Sequence, residues 1–331
     1  MLYSFVIPVY NRPDEINELL ESMTRQKYGK PFEVVIIEDG SKITCKHIVE
    51  QYSEALNVMY YFKKNSGPGD SRNFGMRMAK GSYFIILDSD CILPENYLQE
   101  VDLYLEKNYV DCFGGPDAAH SSFSDIQKAI NQSMTSFLTT GGIRGGSEKL
   151  GKFQPRSFNM GLSRKAFEAS GGFGKIHPGE DPDLSIRLWK MHFRTDLIPN
   201  AYVFHKRRID WEKFYIQVNK FGKARPILNH RYPEYSKITY WFPSVFSTGL
   251  AVSFLMLIFD IQIFVYLYIL YFAALFTESI IKTKNVKISF LTLIAAFIQF
   301  LGYGAGFLYS YYLLNIKKLK AETAMPEMFF K

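Results

Sequence analysis

Short apolar segments alternate with amphipathic segments along the first two-thirds of the chain. Apolar runs at residues 5–9, 32–37, 58–62 and 83–87 predict four strands. Apolar positions at helical spacing predict helices between them, at residues 16–23, 43–52 and 68–79. This β-α-β-α-β-α-β order favours an α/β fold with a doubly wound, parallel sheet and right-handed crossovers.

The last third of the chain has a different pattern. Residues 241–259, 261–277 and 288–316 carry no charge, and each run approaches or exceeds the length that spans a bilayer core. Only Asp260 separates the first two runs, which predicts a tight helical hairpin. Gly302, Gly304 and Gly306 interrupt the third run, so a full crossing and a re-entrant segment both stay open. We therefore expect two or three membrane helices.

Charge and cysteine content narrow the possible binding partners and the possible fold classes. The net charge of +7 suits either nucleic acid or an anionic membrane, and the concentration of basic residues beside the apolar runs favours membrane lipids and no nucleic acid. Lysines 282, 284 and 287 should face the cytoplasm, which would place the N-terminal domain there too. Three cysteines without C-x-x-C spacing argue against a disulfide framework, and the N-terminus is interpreted as a first strand and not a signal peptide.

Candidate chemistry begins at Asp88-Ser89-Asp90, directly after the fourth predicted strand. Two carboxylates this close suit a hard divalent cation, but Asp and Ser also favour a plain turn into a helix, so this triplet alone leaves both open. Asp39 and the Pro8–Tyr10 segment reach the same sheet edge, where open α/β sheets bind nucleotides. Neither G-x-G-x-x-G nor G-x-x-x-x-G-K-[ST] occurs, so a diphosphate would need a metal ion or basic side chains, and Asp90 is placed to bind the metal.

An ordered set of motifs then points to a family. VIPVYNR, EDGS, NSGPGDSRNFGM and LDSD are followed by FNMGLSR, GGF and GED. Together they resemble family 2 glycosyltransferases with the GT-A fold, a Rossmann-like, mostly parallel sheet, over roughly residues 3–225. The resemblance implies a nucleotide-sugar donor and a divalent cation, Mg²⁺ or Mn²⁺.

The resemblance also implies roles for single residues around the donor and the metal. Asp39 would accept from the ring N–H of the nucleobase. Asp90 would ligate the metal directly, with Asp88 supporting the ribose or the metal. His205 is a further metal ligand or a structural histidine. The remaining donor-binding residues are expected to be Pro8, Tyr10, Arg72 and Arg207.

The pair Glu180-Asp181 matches the family's acidic motif, with Asp181 as general base and Asp183 as its nearest rival. The same residues, followed by Pro182, also suit a helix start, and the two interpretations are compatible. Arg156 and Asn159 are expected near the acceptor.

The expected organisation is a GT-A catalytic domain at residues 1–205 and a basic amphipathic interfacial segment at 206–240. A transmembrane region at 241–316 and a C-terminal tail at 317–331 follow. A helix is also predicted at 125–138, followed by a loop at 140–146 that is either a lid or a linker. The Q-x-x-R-W sequence of processive members is absent, because residues 217–225 lack its Trp.

The sequence therefore predicts an inverting, metal-dependent glycosyltransferase that is multi-pass in the plasma membrane with its catalytic domain in the cytoplasm. It would move one sugar to a lipid-linked saccharide acceptor in surface-polysaccharide biosynthesis. One alternative is transfer to polyprenyl phosphate, although that group usually shows a D-x-D-L-Q-like sequence. The other is a membrane protein that binds nucleotides or scaffolds an assembly without catalysis, against which the intact acidic residues argue.

Overall fold

The computed structural model describes residues 1–140, 153–206 and 210–330. They form two compact units. The first contains residues 1–120 and 153–206 together with Phe330, and the second contains residues 121–140 and 210–329.

A seven-stranded sheet organises the first unit. Its strands are β1 (Tyr3–Val9), β2 (Phe32–Asp39), β3 (Val58–Lys63), β4 (Tyr83–Leu87), β6 (Cys112–Gly114), β8 (Asn159–Ser163) and β9 (Thr195–Leu197), in the order β3-β2-β1-β4-β8-β6-β9. Strand β8 runs antiparallel to both of its neighbours, whereas the other pairs are parallel. Three short strands form a second sheet in the order β5-β10-β7: β5 (Cys91–Ile92), β7 (Asp117–Ala118) and β10 (Val203–His205).

Helices cover both faces of the large sheet. They are α1 (Pro13–Thr24), α2 (Lys46–Gln51), α3 (Pro68–Met78), α4 (Tyr97–Lys107), α7 (Arg164–Ser170) and α8 (Glu180–Lys190). Alternate residues of one strand enter different cores: Phe5 packs with α1 and α4, and Val6 packs with α3 and α8. Since both faces are buried, the central strands are mostly apolar, as the continuous apolar runs predicted, and the buried Ser4 of β1 is an exception.

The second unit is helical. It contains α5 (Asp125–Thr135), α6 (Phe137–Thr140), α9 (Trp211–Arg231), α10 (Phe242–Met256), α11 (Ile263–Thr283), α12 (Val286–Tyr311) and the short α13 (Ala321–Ala324). The segments Ile238–Phe259, Ile263–Thr283 and Val286–Ile316 are long and apolar enough to span a membrane. Asp260 takes a left-handed conformation between the first two, as the predicted hairpin requires.

Helices α9 and α12 lie backbone to backbone. A Cβ atom on Gly222 would fall 2.1 Å from the carbonyl oxygen of Tyr303, and one on Gly306 would fall 2.1 Å from that of Asn219. The small residues therefore permit a close helix crossing, as in helix pairs within membranes. They do not interrupt α12, which is continuous, so the re-entrant interpretation of residues 288–316 is corrected.

One difference between the two units and the predicted boundaries concerns residues 121–140. Ile130 and Met134 of α5 pack with Phe214, Val218 and Ala295, so residues 121–140 group with the C-terminal helices and not with residues 1–120. The predicted helix at 125–138 is divided at Ser136 into α5 and α6. The predicted loop at 140–146 lies, beyond Thr140, outside the described residues.

Candidate active site

Three neighbouring strands of the large sheet deliver the candidate residues to one edge. Asp39 ends β2, and Asp88 and Asp90 follow β4, which is joined to β2 through β1. Helix α8 begins at Glu180, with Pro182 in its first turn. The acidic pair is therefore a helix start, as one of the two compatible interpretations predicted.

Asp90 lies between the side chains of Arg12 and His205. Its Oδ2 forms an ion pair with Nη1 of Arg12, and its Oδ1 lies 3.2 Å from Nε2 of His205. Burial by itself raises the pKa of Asp90, but the charges and hydrogen bonds of His205 and Arg12 outweigh it and hold this pKa well below its ordinary value. The carboxylate is therefore ionised wherever the protein is folded.

The imidazole of His205 is held on three sides. Its ring stacks on Phe158 at a centroid distance of 4.8 Å, and its Nδ1 lies 3.9 Å from Oδ2 of Asp117. Strand β10 fixes this position, because His205 pairs with Cys91 of β5, the residue after Asp90. The two predicted metal residues are thus brought together by the small sheet.

The donor atoms around Asp90 suit a divalent cation. Possible ligand atoms of Asp90, Cys91 and His205 lie within 4.8 Å of one another. Oδ1 of Asp90 faces Nε2 of His205, and Nδ1 of His205 is buried with no hydrogen-bond partner among the described residues. A carboxylate oxygen and an imidazole nitrogen fit Mn²⁺ or Mg²⁺, whereas the thiol of Cys91 donates to the carbonyl of Phe158 and belongs to the core.

Arg72 connects the DSD triplet to the acidic pair. From α3, its Nη2 donates to Oδ1 of Asp88 at 2.7 Å and its Nη1 donates to Oε1 of Glu180 at 3.2 Å. Nδ1 of His177 also lies 2.9 Å from Oε1 of Glu180. Burial by itself raises the pKa of Glu180. The interactions with His177 and Arg72 outweigh this effect and lower the pKa to about 2. Glu180 is therefore a permanent anion that holds Arg72.

Asp181 has the opposite electrostatics from its neighbour. Burial and the charge of Glu180 raise the pKa of Asp181 to about 6, although Arg72, Arg156 and the backbone N–H of Ser157 act in the other direction. Its Oδ1 is buried and has no hydrogen-bond partner within the described parts of the chain. A carboxylate with a raised pKa and an unused oxygen is suited to take a proton at neutral pH.

Asp183, the rival for this role, is tied into the fold. Its Oδ2 accepts from Nε of Arg187 at 3.0 Å, and Arg187 also donates to the carbonyls of Ser170 and Gly172. Arg156 lies close enough to Asp181 to lower its pKa, and its place near the acceptor stays a prediction.

Asp39 accepts hydrogen bonds from the loop after β3. Its Oδ1 accepts from the backbone N–H of Ser66 and from Nζ of Lys63, and its Oδ2 accepts from the backbone N–H of Gly67 at 3.0 Å. Asp39 is only 3% exposed. The carboxylate therefore shapes this loop, in addition to any contact with a base.

The other predicted residues divide into accessible and inaccessible ones. Pro8 is half-buried within β1, and Tyr10, the residue after this strand, is 52% exposed. Asn159 is fully buried, with its amide donating to the carbonyl of Ala201 and accepting from the Tyr97 hydroxyl. Its side chain is committed to the core, which corrects its assignment to the acceptor. Arg207 lies outside the described residues.

The comparison with known proteins identifies the family. The family model described as "Glycosyl transferase family 2" matches residues 4–171, just over half of the 331 residues. The chain belongs to this family. The predicted resemblance and the predicted glycosyltransferase activity class are thereby confirmed.

Several curated proteins are similar to part of this family 2 glycosyltransferase. The poly(ribitol-phosphate) beta-N-acetylglucosaminyltransferase TarS of Staphylococcus aureus is 33% identical over 114 residues, which are 34% of this chain and 20% of TarS. An uncharacterized glycosyltransferase of Haemophilus influenzae is 39% identical over 109 residues, or 32% of this chain and 35% of that protein. The similarity thus extends over a fifth to about a third of these relatives.

Solved structures show the same fold. The mannosyltransferase PcManGT from Pyrobaculum calidifontis, in complex with GDP-Man and Mn²⁺, has a TM-score of 0.63 at 15% identity, covering 93% of this chain and 87% of that one. Residues 1–349 of S. aureus TarS give a TM-score of 0.51 at 17% identity, covering 93% and 90%. These structures confirm the predicted GT-A fold.

Four side chains of the glycosyltransferase site were not among the predicted ones. Arg12 pairs with Asp90, Lys63 with Asp39, His177 with Glu180, and Asp117 lies beside His205. Arg12 and Lys63 each lie close in sequence to a strand end at the site edge, and that position was an available signal. His177 comes from an irregular segment and Asp117 from the two-residue strand β7, and the sequence pattern carries no such signal at either place.

Proposed function

We propose that this glycosyltransferase is an inverting, metal-dependent hexosyltransferase that moves one sugar from a UDP-sugar to a lipid-linked saccharide. The observation that carries the proposal is the contrast between two carboxylates. Asp90 is kept anionic beside His205, whereas the pKa of Asp181 is raised to about 6, so that Asp181 is mostly ionised at neutral pH yet more basic than an ordinary aspartate. One site would thus contain a cation-binding group, Asp90, and a proton acceptor, Asp181. Arg72 bridges their neighbours Asp88 and Glu180.

The proposed reaction is a single displacement. Asp181 removes the proton from an acceptor hydroxyl while that oxygen attacks the anomeric carbon. The bond between this carbon and the diphosphate oxygen breaks, its electron pair leaves with the nucleoside diphosphate, and attack from the opposite side inverts the configuration. A divalent cation held by Asp90 and His205, with Asp88 supporting it, would act as a Lewis acid that neutralises charge on the leaving group.

Donor binding is assigned to a further group of residues in the site. We assign the nucleobase to Asp39, and the ribose and diphosphate to Pro8, Tyr10, Arg72, Asp88 and Arg207. A UDP-sugar is favoured because a structure of TarS contains UDP-GlcNAc and because TarS is named as a beta-N-acetylglucosaminyltransferase. Arg156 is placed near the acceptor.

The acceptor is proposed from the second unit. Three helices long enough to span a membrane favour a substrate at the bilayer surface, with the catalytic unit on the cytoplasmic side of the plasma membrane. The basic amphipathic segment at 206–240, most of which is α9, would interact with anionic lipid. Curated relatives that act in teichoic acid biosynthesis support a role in cell-surface polysaccharide assembly. The missing Trp after Gln217 favours transfer of a single sugar.

The test uses the full chain in nanodiscs, supplied with Mn²⁺, radiolabelled UDP-, GDP- or CDP-sugars, and a lipid extract. We expect label from a UDP-sugar on a lipid-linked saccharide, and loss of this transfer in Asp181→Asn and Asp90→Ala. Normal turnover by both variants would contradict the assigned roles. Label on bare polyprenyl phosphate would contradict the saccharide acceptor.

A further inference from the structure

The last described residue, Phe330, belongs to the first unit, although the residues immediately before it belong to the second. Its backbone N–H donates to the carbonyl of Lys175 at 3.0 Å. Lys175 precedes the loop that leads into α8 and the acidic pair. A C-terminal residue is therefore anchored beside the candidate active site.

The ring of Phe330 packs directly on a glycine of that site. A Cβ atom placed on Gly67 would fall 2.4 Å from Cδ2 of this ring, so the aromatic face takes the space that any side chain at position 67 would occupy. On another side, the ring of His177 lies 5.4 Å from that of Phe330, at an interplanar angle of 44°. Phe330 as a whole is only partly buried.

Two of the residues that touch Phe330, Gly67 and His177, also touch groups of the proposed mechanism. Gly67 donates its backbone N–H to Oδ2 of Asp39, the carboxylate assigned to the nucleobase. His177 contacts Glu180, which holds Arg72. Gly67 therefore connects Phe330 to the carboxylate assigned to the base, and His177 connects Phe330 to Glu180 of the acidic pair.

We propose that Phe330 forms part of the wall of the nucleotide pocket and borders the base of the donor. This inference rests on the proposed function, because it takes Asp39 as the base-binding carboxylate. A partly buried aromatic residue near such a carboxylate can offer its ring as a contact surface to a planar base, while the carboxylate accepts from the edge of the base. Phe330 is then a specificity-determining residue supplied by the end of the chain.

Isothermal titration of the full chain in nanodiscs with UDP and Mn²⁺ tests this proposal. Loss of the ring in Phe330→Ala should weaken UDP binding about tenfold, as expected for loss of a base–aromatic contact. Phe330→Trp should keep the affinity within about twofold of the wild-type value, because a planar ring is retained. The matched control is Phe329→Ala, whose ring lies instead over the Arg231 guanidinium in the second unit and should leave UDP binding unchanged.

A second titration separates a contact with the base from a general structural effect. Pyrophosphate with Mn²⁺ contains the diphosphate and the metal without a base, so its affinity should be the same in the wild type and in Phe330→Ala. Equal loss of pyrophosphate and UDP binding would overturn the proposal, and so would unchanged UDP binding. Tighter UDP binding by Phe330→Ala would overturn it too, since the ring would then occupy the space of the base. A wild-type protein that binds none of UDP, GDP and CDP would instead overturn the proposed function itself, and with it the role of Phe330.

Discussion

Arg12 of the segment that follows β1 forms an ion pair with Asp90, the residue proposed to bind the metal. The guanidinium of Arg12 therefore already supplies positive charge beside Asp90, where a bound divalent cation would supply it. Arg12→Gln should therefore bind Mn²⁺ more tightly when no nucleotide is present, by about tenfold, which corresponds to about 1.4 kcal/mol. Titration of the full chain with Mn²⁺, followed by electron paramagnetic resonance, measures this affinity.

The control for this change is Arg25→Gln at the end of α1, where the arginine is exposed and pairs with Glu21. Its Mn²⁺ affinity should equal that of the wild type. Weaker Mn²⁺ binding by Arg12→Gln would show that Arg12 supports the metal site and does not compete with the metal.

Asp181→Asn should lower kcat by about 10²- to 10⁴-fold while leaving UDP binding nearly unchanged, because the amide cannot take up the acceptor proton. Steady-state transfer assays and UDP titration measure the two quantities. Asp183→Asn is the matched comparison, since Asp183 is buried and paired with Arg187. Asp183→Asn should mainly lower Tm and should have a much smaller effect on kcat than Asp181→Asn has. The base would have to be reassigned if Asp183→Asn were as inactive as Asp181→Asn at a normal Tm.

The raised pKa of Asp181 predicts the pH dependence of transfer. Because only the ionised carboxylate accepts a proton, kcat should rise with pH up to about 6 and level off above it. Below that pH, kcat should fall about tenfold per pH unit. A rate profile that is flat from pH 4.5 to 8 would contradict the role of Asp181, provided that the protein stays folded over this range.

The same pKa predicts a change in stability. In the folded protein Asp181 binds its proton more tightly than in the unfolded chain, so its ionisation lowers the free energy of unfolding as pH rises from about 4 to about 6. Asp181→Asn removes this effect and should raise Tm by a few degrees at pH 7.5. The gain should disappear near pH 4, and thermal unfolding at both pH values measures it. An unchanged Tm at pH 7.5 would contradict the raised pKa.

Arg72 should be required for stability as well as for activity. Arg72→Ala leaves the buried carboxylate of Glu180 with His177 as its remaining ionic partner, and we expect a loss of about 3–5 kcal/mol in the free energy of unfolding. Arg72→Lys keeps a charge but cannot donate to Asp88 and Glu180 in the same fork geometry, so it should restore only part of the stability. Denaturant unfolding measures both losses, and Arg77→Ala, an exposed arginine on the same helix, is the control. A stable Arg72→Ala variant would show that this charge network contributes little to folding.

The sequence predicted the first four strands and the residues at their ends, because a strand buried on both faces is apolar until it reaches the sheet edge. Residue 87 is leucine and residue 88 is aspartate, and this step marks the end of β4 in the structure as well. The position of Asp90, His205 and Glu180 relative to one another came from the family resemblance, since no local pattern links residues so distant in the chain.

Other features depend on tertiary contacts that a pattern does not show. Asn159 belongs to the FNMGLSR motif and was expected near the acceptor, yet its buried amide is hydrogen-bonded to Tyr97 and Ala201. The glycines of α12 suggested a break in the helix, whereas the structure uses them where α9 crosses. Phe330 had no predicted role, because nothing in a short C-terminal tail indicates which surface it meets.

The hydrogen bonds of Asp39 leave little capacity for a nucleobase. A carboxylate has about four acceptor positions, and in the described structure Ser66, Lys63 and Gly67 occupy three of them. One position on Oδ2 remains. A ring that offers a single N–H, as uracil does at N3, can use this position without disturbing the loop. A ligand that needs two acceptors from Asp39 must first displace the Lys63 ammonium or a backbone N–H. The hydrogen bonds that Asp39 already accepts within the protein would therefore select against such donors.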